Sequence, residues 1–102
     1  MRIDSTSLLA VAEKYVALSE KSRELAKRLN SLNGEEYEEL MEKYISAVLE
    51  ESAQSKHVKK AAGYFFGTKE DEWQRFIGCV WSWADGRLPE KDARATVKEL
   101  LK

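Results

Sequence analysis

Near the start of the chain, apolar side chains fall at Leu8, Val11, Tyr15, Leu18, Leu25, Leu29 and Leu32, with Ser22 at the one polar place in the series. The intervals alternate three and four, a period near 3.5 residues that matches one stripe of an α-helix. Asp4 or Ser5 is placed to cap its start, because a short side-chain oxygen accepts from the free N–H groups of a first turn. Asn30, Asn33 and Gly34 mark its end. The pattern predicts a first helix from Ser5 to Leu32.

A second helix is expected to follow at once. Asn33 stands at its N-cap and Glu36 at the third helical position, as in a capping box. Glu35, Glu36, Glu38 and Glu39 crowd its first turns, where the helix dipole favours negative charge. Tyr37, Leu40, Met41, Tyr44, Ile45, Val48 and Leu49 form its inward face, and it fades around Ser52 to Ser55. A third helix is predicted over Lys56 to Phe66, with Val58, Ala61, Ala62 and Phe65 inward. Gly63 inside it costs about 1 kcal/mol relative to Ala, a cost that close approach of another helix would explain. Gly67 ends that helix, and Thr68 with Asp71 signals the next cap. The fourth helix covers Lys69 to Ala84, with Trp73, Phe76, Ile77, Val80 and Ala84 on one face and Trp81 and Trp83 widening it. Asp85-Gly86 is a turn, and Pro89 suits the first position of a last helix, whose inward residues are Ala93, Val97, Leu100 and Leu101. The expected fold is all-α: one domain over residues 1–102, a compact bundle of about five helices with short loops.

Composition agrees with this reading. Five Gly and one Pro are few for an all-β chain of 102 residues, and ten aromatic side chains are too many for a disordered one. A net charge of −1 imposes no global attraction to nucleic acid or to a membrane surface. The single cysteine, Cys79, has no internal partner, which suits a reducing, cytoplasmic setting. No apolar run approaches the roughly 18 residues of a membrane span, and the N-terminus has no signal-peptide core. Lys, Arg and Glu are plentiful while Asn, Gln, Cys and Met are few, the bias of a thermophile.

Chemistry is sparse. His57 and Cys79 are the only residues of their kinds, there is no CxxC, and His57 has no Glu three residues before it, so no metal or cofactor is expected. Cys79 lies between Gly78 and Val80 on an apolar helix, where a small buried thiol outranks a nucleophile. The glycines are isolated and cradle no phosphate. The carboxylates from Glu35 to Glu42 read as a solvated helix face. An enzyme centred on His57 ranks last among the readings.

Three surface features remain: a basic stretch, the tryptophan segment and the stripe of the first helix. Lys56, His57, Lys59 and Lys60, followed by Tyr64, place cations beside an aromatic ring, a combination that holds phosphates and stacks bases. Tyr15 and Leu18 on the long first stripe, together with Trp81 and Trp83, are candidates for an interface with a protein partner or a second copy. Trp81 and Trp83 lie about 200° apart on a helix, so they cannot share the centre of one buried face. Charge also segregates: the second helix is acidic, while the end of the first and the start of the third are basic. Such asymmetry suits helix pairing within the chain or between chains.

Short segments resemble the YbgA-like domain family, a bacterial and archaeal domain of unknown function. They are Tyr37-Glu38-Glu39-Leu40, Lys56-His57-Val58, Gly63-Tyr64-Phe65 and Gly86-Arg87-Leu88-Pro89, in the family's order, with Lys14-Tyr15 and Arg23-Glu24-Leu25 similar to its opening helix. The family's His-Ser pair before Arg-Glu-Leu is missing here, as is the further His between its Lys-His and Gly-Tyr-Phe segments. Only His57, Gly63 and Tyr64 therefore match family motif positions. The resemblance implies a small helical module, similar to domains found alone or fused to an iron–sulfur desulfidase-like domain, with an accessory role near nucleobase or sulfur metabolism. From the residues themselves, a non-catalytic interaction module comes first and a nucleic-acid-binding accessory domain second.

Overall fold

The computed structural model describes residues 3–102, so Met1 and Arg2 of the expected single domain lie outside the described residues. It is all-α, with four helices: α1 (Ser5–Leu29), α2 (Gly34–Phe66), α3 (Glu70–Ala84) and α4 (Glu90–Leu100). Asp4 caps α1, its carboxylate accepting the Ser7 N–H at 2.7 Å. That hydrogen bond holds the Asp4 carboxyl below its usual range. The helix closes three residues earlier than its apolar stripe. Ser31 and Leu32 donate to the carbonyls of Arg28 and Leu29, a tightened last turn that spends the remaining length.

The expected break between the second and third helices is absent: α2 runs unbroken for 33 residues. Ser52 and Ser55 weaken helix propensity but do not forbid a helix. Ser55 returns its hydroxyl to the Ser52 carbonyl at 2.7 Å, and Gln54 is buried, donating its side-chain amide to the Val11 carbonyl at 3.1 Å. Contact with α1 thus carries the helix through a polar stretch that looks like a loop when read alone.

The inward face of α2 also differs from expectation. Leu40 is buried and Met41 and Tyr44 are half-buried, but Tyr37, Ile45, Val48 and Leu49 are exposed. The seam against α1 runs Leu40, Tyr44, Ala47, Glu51, Gln54, Val58 and Ala61, at alternating steps of three and four. Two of its central places are polar, which is why an apolar count points elsewhere.

α3 returns along α2, with Phe66 against Phe76 at 5.6 Å between ring centres. Tyr15 of α1 meets Trp81 at 4.7 Å. α4 closes the body through Ala93 and Val97, and Arg94 binds Glu13 of α1 at 2.9 Å while lying over Trp83. The main core gathers Leu8, Ala12, Val16, Val58, Phe76 and Val80 among its fully or nearly buried members.

α3 stops short of the far ends of α1 and α2. Its terminal turn reaches α1 at Arg23, whose Nη1 lies 2.8 Å from where a Cβ on Gly86 would stand. Beyond that level the first two helices have only each other, with a second small core of Leu25, Leu29, Leu40 and Ala47. The molecule is therefore an elongated helical bundle, a four-helix body with a two-helix arm. Its extents are 51 × 28 × 19 Å, and its radius of gyration is 15.6 Å, against about 13 Å for a compact chain of this length.

Three expected end signals do not act as written. Asn33 occupies the N-cap of α2, but its side chain makes no capping hydrogen bond. α3 takes Lys69 rather than Thr68 as its N-cap, and Pro89 stands one place before α4, accepting from the Ala93 N–H. Gly63 lies exposed with nothing near a would-be Cβ, so no helix approaches it closely. Gly67, in contrast, ends α2 at φ +59, a conformation that side chains resist. Opposite signs follow for the same substitution. Gly63→Ala should raise stability by about 0.5–1 kcal/mol and Gly67→Ala should lower it by about 1–2 kcal/mol. Urea denaturation of the two variants beside the parent checks both.

Candidate interaction surfaces

The α1–α2 seam carries a polar clamp. Glu51 accepts the Ser19 hydroxyl at 2.6 Å and the Ser22 hydroxyl at 2.8 Å, one on each carboxylate oxygen. Both serines are buried, and Ser22 reaches a second acceptor at the Ser19 carbonyl, 3.2 Å away. Tyr15 lies beside this group. Burial pushes its phenol above the usual range, with the carboxylates of Glu51 and Asp85 adding to the effect and Ser19 opposing it. Among the described residues no buried side-chain nitrogen or oxygen lacks a partner. The clamp is thus a satisfied network, not a reactive one, and it fixes the register of the two long helices.

Cys79 is equally inert. It lies buried against α4, its thiol donating to the Ala93 carbonyl at 3.6 Å, and burial raises its pKa. A thiol held protonated is a poor nucleophile. His57 is exposed on α2, on a shallow depression shared with Lys14, Leu18, Glu50 and Gln54, on a different face from Cys79. Among the described residues, no three His, Cys, Asp or Glu side chains gather to hold a metal.

The sequence-predicted basic group divides. Lys56, Lys59 and Lys60 are exposed along one flank of α2, and Tyr64 stands at its edge. His57 lies about 200° round from Lys59 but only about 60° from Lys60, so it edges the group on the side away from Lys59. Lys59 and Lys60 border a shallow hollow of about 510 Å³ with Gly63, Gly67, Glu70 and Trp73. The Lys59 ammonium lies 5.8 Å from the centre of the Trp81 ring, and the Trp73 indole donates to the Lys59 carbonyl at 3.4 Å.

The aromatic candidates divide too. Trp83 is 4% exposed, inside the core beneath Arg94, and offers no surface to a partner. Its position on the α4 side of α3 is the cause. Trp81, Tyr15 and Leu18 are half-buried, and the long stripe of α1 is occupied by α2 and α3 within the chain.

The surface that sequence reasoning placed inside is the outer side of α2. Ile45 is 52% and Leu49 66% exposed, with Val48 beside them. Val48 precedes Phe66 by 18 residues, five full helical turns, so the two point the same way. Phe66 is covered by α3, whereas Val48, on the arm, keeps 37% of its surface exposed. Spacing could have revealed this: the apolar positions of the second helix span too wide an arc for one seam.

Comparison with known protein families, curated proteins and solved structures finds no match to the chain.

The clamp makes a contrast between removing one partner and removing all. Glu51→Ala should cost about 1–3 kcal/mol, because the Ser19 hydroxyl is left buried without its acceptor. Converting Ser19 and Ser22 to Ala and Glu51 to Leu together should cost far less than the single change. Thermal unfolding of both variants measures the difference.

Proposed function

We propose that the chain is a non-catalytic helical interaction module that presents the outer side of α2 to a protein partner. The observation that carries this reading is the exposed apolar group Ile45, Val48 and Leu49 in the middle of an unbroken helix. Large apolar side chains at neighbouring helical positions are what a partner helix covers. The inert, buried Cys79 and the isolated His57 support a role without catalysis or cofactor. A lone thiol kept inside the core also supports a cytoplasmic setting. No described helix is long and apolar enough to cross a membrane. The charged composition supports a thermophilic source.

A photo-crosslinking residue at position 49 tests the reading in living cells, with the same residue at Glu24 as the control. Protein adducts are expected from position 49 and not from position 24. Absence of adducts at 49 would remove the proposal.

A second reading rests on the Lys56, Lys59 and Lys60 flank beside Trp73, where phosphates and a stacked base would find cations and a ring. It predicts RNA binding that weakens steeply between low and high salt and drops at least tenfold in Lys59→Glu/Lys60→Glu. Fluorescence anisotropy with a short labelled RNA reads both. Binding indifferent to salt, or none, ends this reading.

A further inference from the structure

Along the side of α2 that faces away from α1, one further stripe repeats at steps of three and four. It runs Glu35, Glu38, Glu42, Ile45, Leu49, Ser52, Lys56, Lys59 and Gly63, and all nine residues are exposed. This is the spacing of a coiled-coil seam, left open by the rest of the chain up to Lys59, whose ammonium lies over the Trp81 ring of α3. The order of its residues is informative. Carboxylates occupy the first three places, Ile45 and Leu49 the centre, and the ammonium groups of Lys56 and Lys59 follow after Ser52. No ion pair among the described residues engages any member of the stripe.

Three pairs of the stripe are symmetric about Ala47, two of them with the sign of charge reversed, while Glu42 is mirrored by the uncharged Ser52. Ile45 and Leu49 each lie two residues from it, Glu38 and Lys56 nine, and Glu35 and Lys59 twelve. A helix of the same sequence laid antiparallel and centred there brings Ile45 against the other copy's Leu49. It brings Glu38 level with Lys56, and Glu35 level with Lys59, at both ends. A parallel copy would oppose Glu38 to Glu38 and Lys56 to Lys56. A two-fold axis generates the antiparallel arrangement, and each contact then occurs twice.

We infer that the outer side of α2 is the seam of an antiparallel homodimer, related by a two-fold axis at the level of Ala47. The inference rests on the proposal that this side of α2 docks a protein, and names that protein as a second copy. α1 packs on the opposite side of α2 and stays clear of the partner. From Glu35 to Lys59 the seam spans 25 residues, roughly 37 Å of helix. Its apolar centre is short, so the dimer belongs to the small, transient class of interfaces. Lys59, over Trp81 in the single chain, stands at the rim of the seam.

Sedimentation equilibrium of the full chain, from about 1 to about 500 µM, tests the inference over the range expected for a small interface. The mass should rise from one chain to two. Leu49→Glu should hold it at one chain, with the helical circular dichroism retained because the side chain is exposed. Glu35→Lys/Glu38→Lys should weaken the dimer at least tenfold, as should Lys56→Glu/Lys59→Glu. The four changes together on one chain should restore it, because each new lysine then meets a new glutamate. A parent chain that stays single at every concentration overturns the inference. So does a dimer that survives Leu49→Glu, or one indifferent to the charge reversals. A single-chain parent that still gives protein adducts from position 49 leaves the docking proposal standing with another occupant; failure of both removes both.

Discussion

Packing of α1 against α2 along their shared length is the constraint on which the other features depend. It fixes where α3 can lie, it carries α2 through its polar middle, and it leaves the far ends of both helices to each other. Glu51, Ser19, Ser22 and Gln54 stand at the centre of that seam. An apolar seam tolerates sliding by a heptad, because one Leu replaces another. A carboxylate that must meet two hydroxyls does not. Register is therefore set by polar groups and stability by the apolar groups on either side.

The same clamp explains what could and could not be read from the sequence. The first stripe was legible at Leu8, Ser22, Leu25 and Leu29, but between Leu8 and Ser22 burial falls on Ala12, Val16 and Ser19, one place on from Val11, Tyr15 and Leu18. The tail helices were legible from Gly67, Asp85-Gly86 and Pro89. The seam of α2 was not, because Glu51 and Gln54 occupy buried or half-buried places that hydrophobic spacing assigns to solvent. That one substitution of polar for apolar produced two misreadings. It suggested a break near Ser52, and it turned the helix so that Ile45, Val48 and Leu49 were counted as core. Their exposure, together with the burial of Trp83, moves the candidate surface from α1 and α3 to the back of α2.

The basic group shows a different limit. Five neighbouring residues from Lys56 to Lys60 look like one cluster on paper, yet a helix spreads them around its circumference. Lys59 and Lys60 border the hollow beside Trp73, while His57 lies on the depression shared with Lys14 and Leu18 of α1. Adjacency in sequence is a poor guide to adjacency in space once the segment is helical. The acidic start and basic middle of α2 are better understood as the two ends of one long dipolar edge than as separate patches.

The unbroken α2 also has a dynamic consequence. Its second half is buttressed by α1 and α3, with Phe66, Val58 and Ala62 in a large core, whereas its first half rests on four buried residues and one neighbouring helix. Covalently and by hydrogen bonding it is a single rod, but energetically it is two units. Opening of the arm forfeits only the smaller cluster, so amide protection should grade downward from Val58 toward Leu40 within one helix. The rod thus joins a rigid base to a tip that samples open states far more often than the whole chain unfolds.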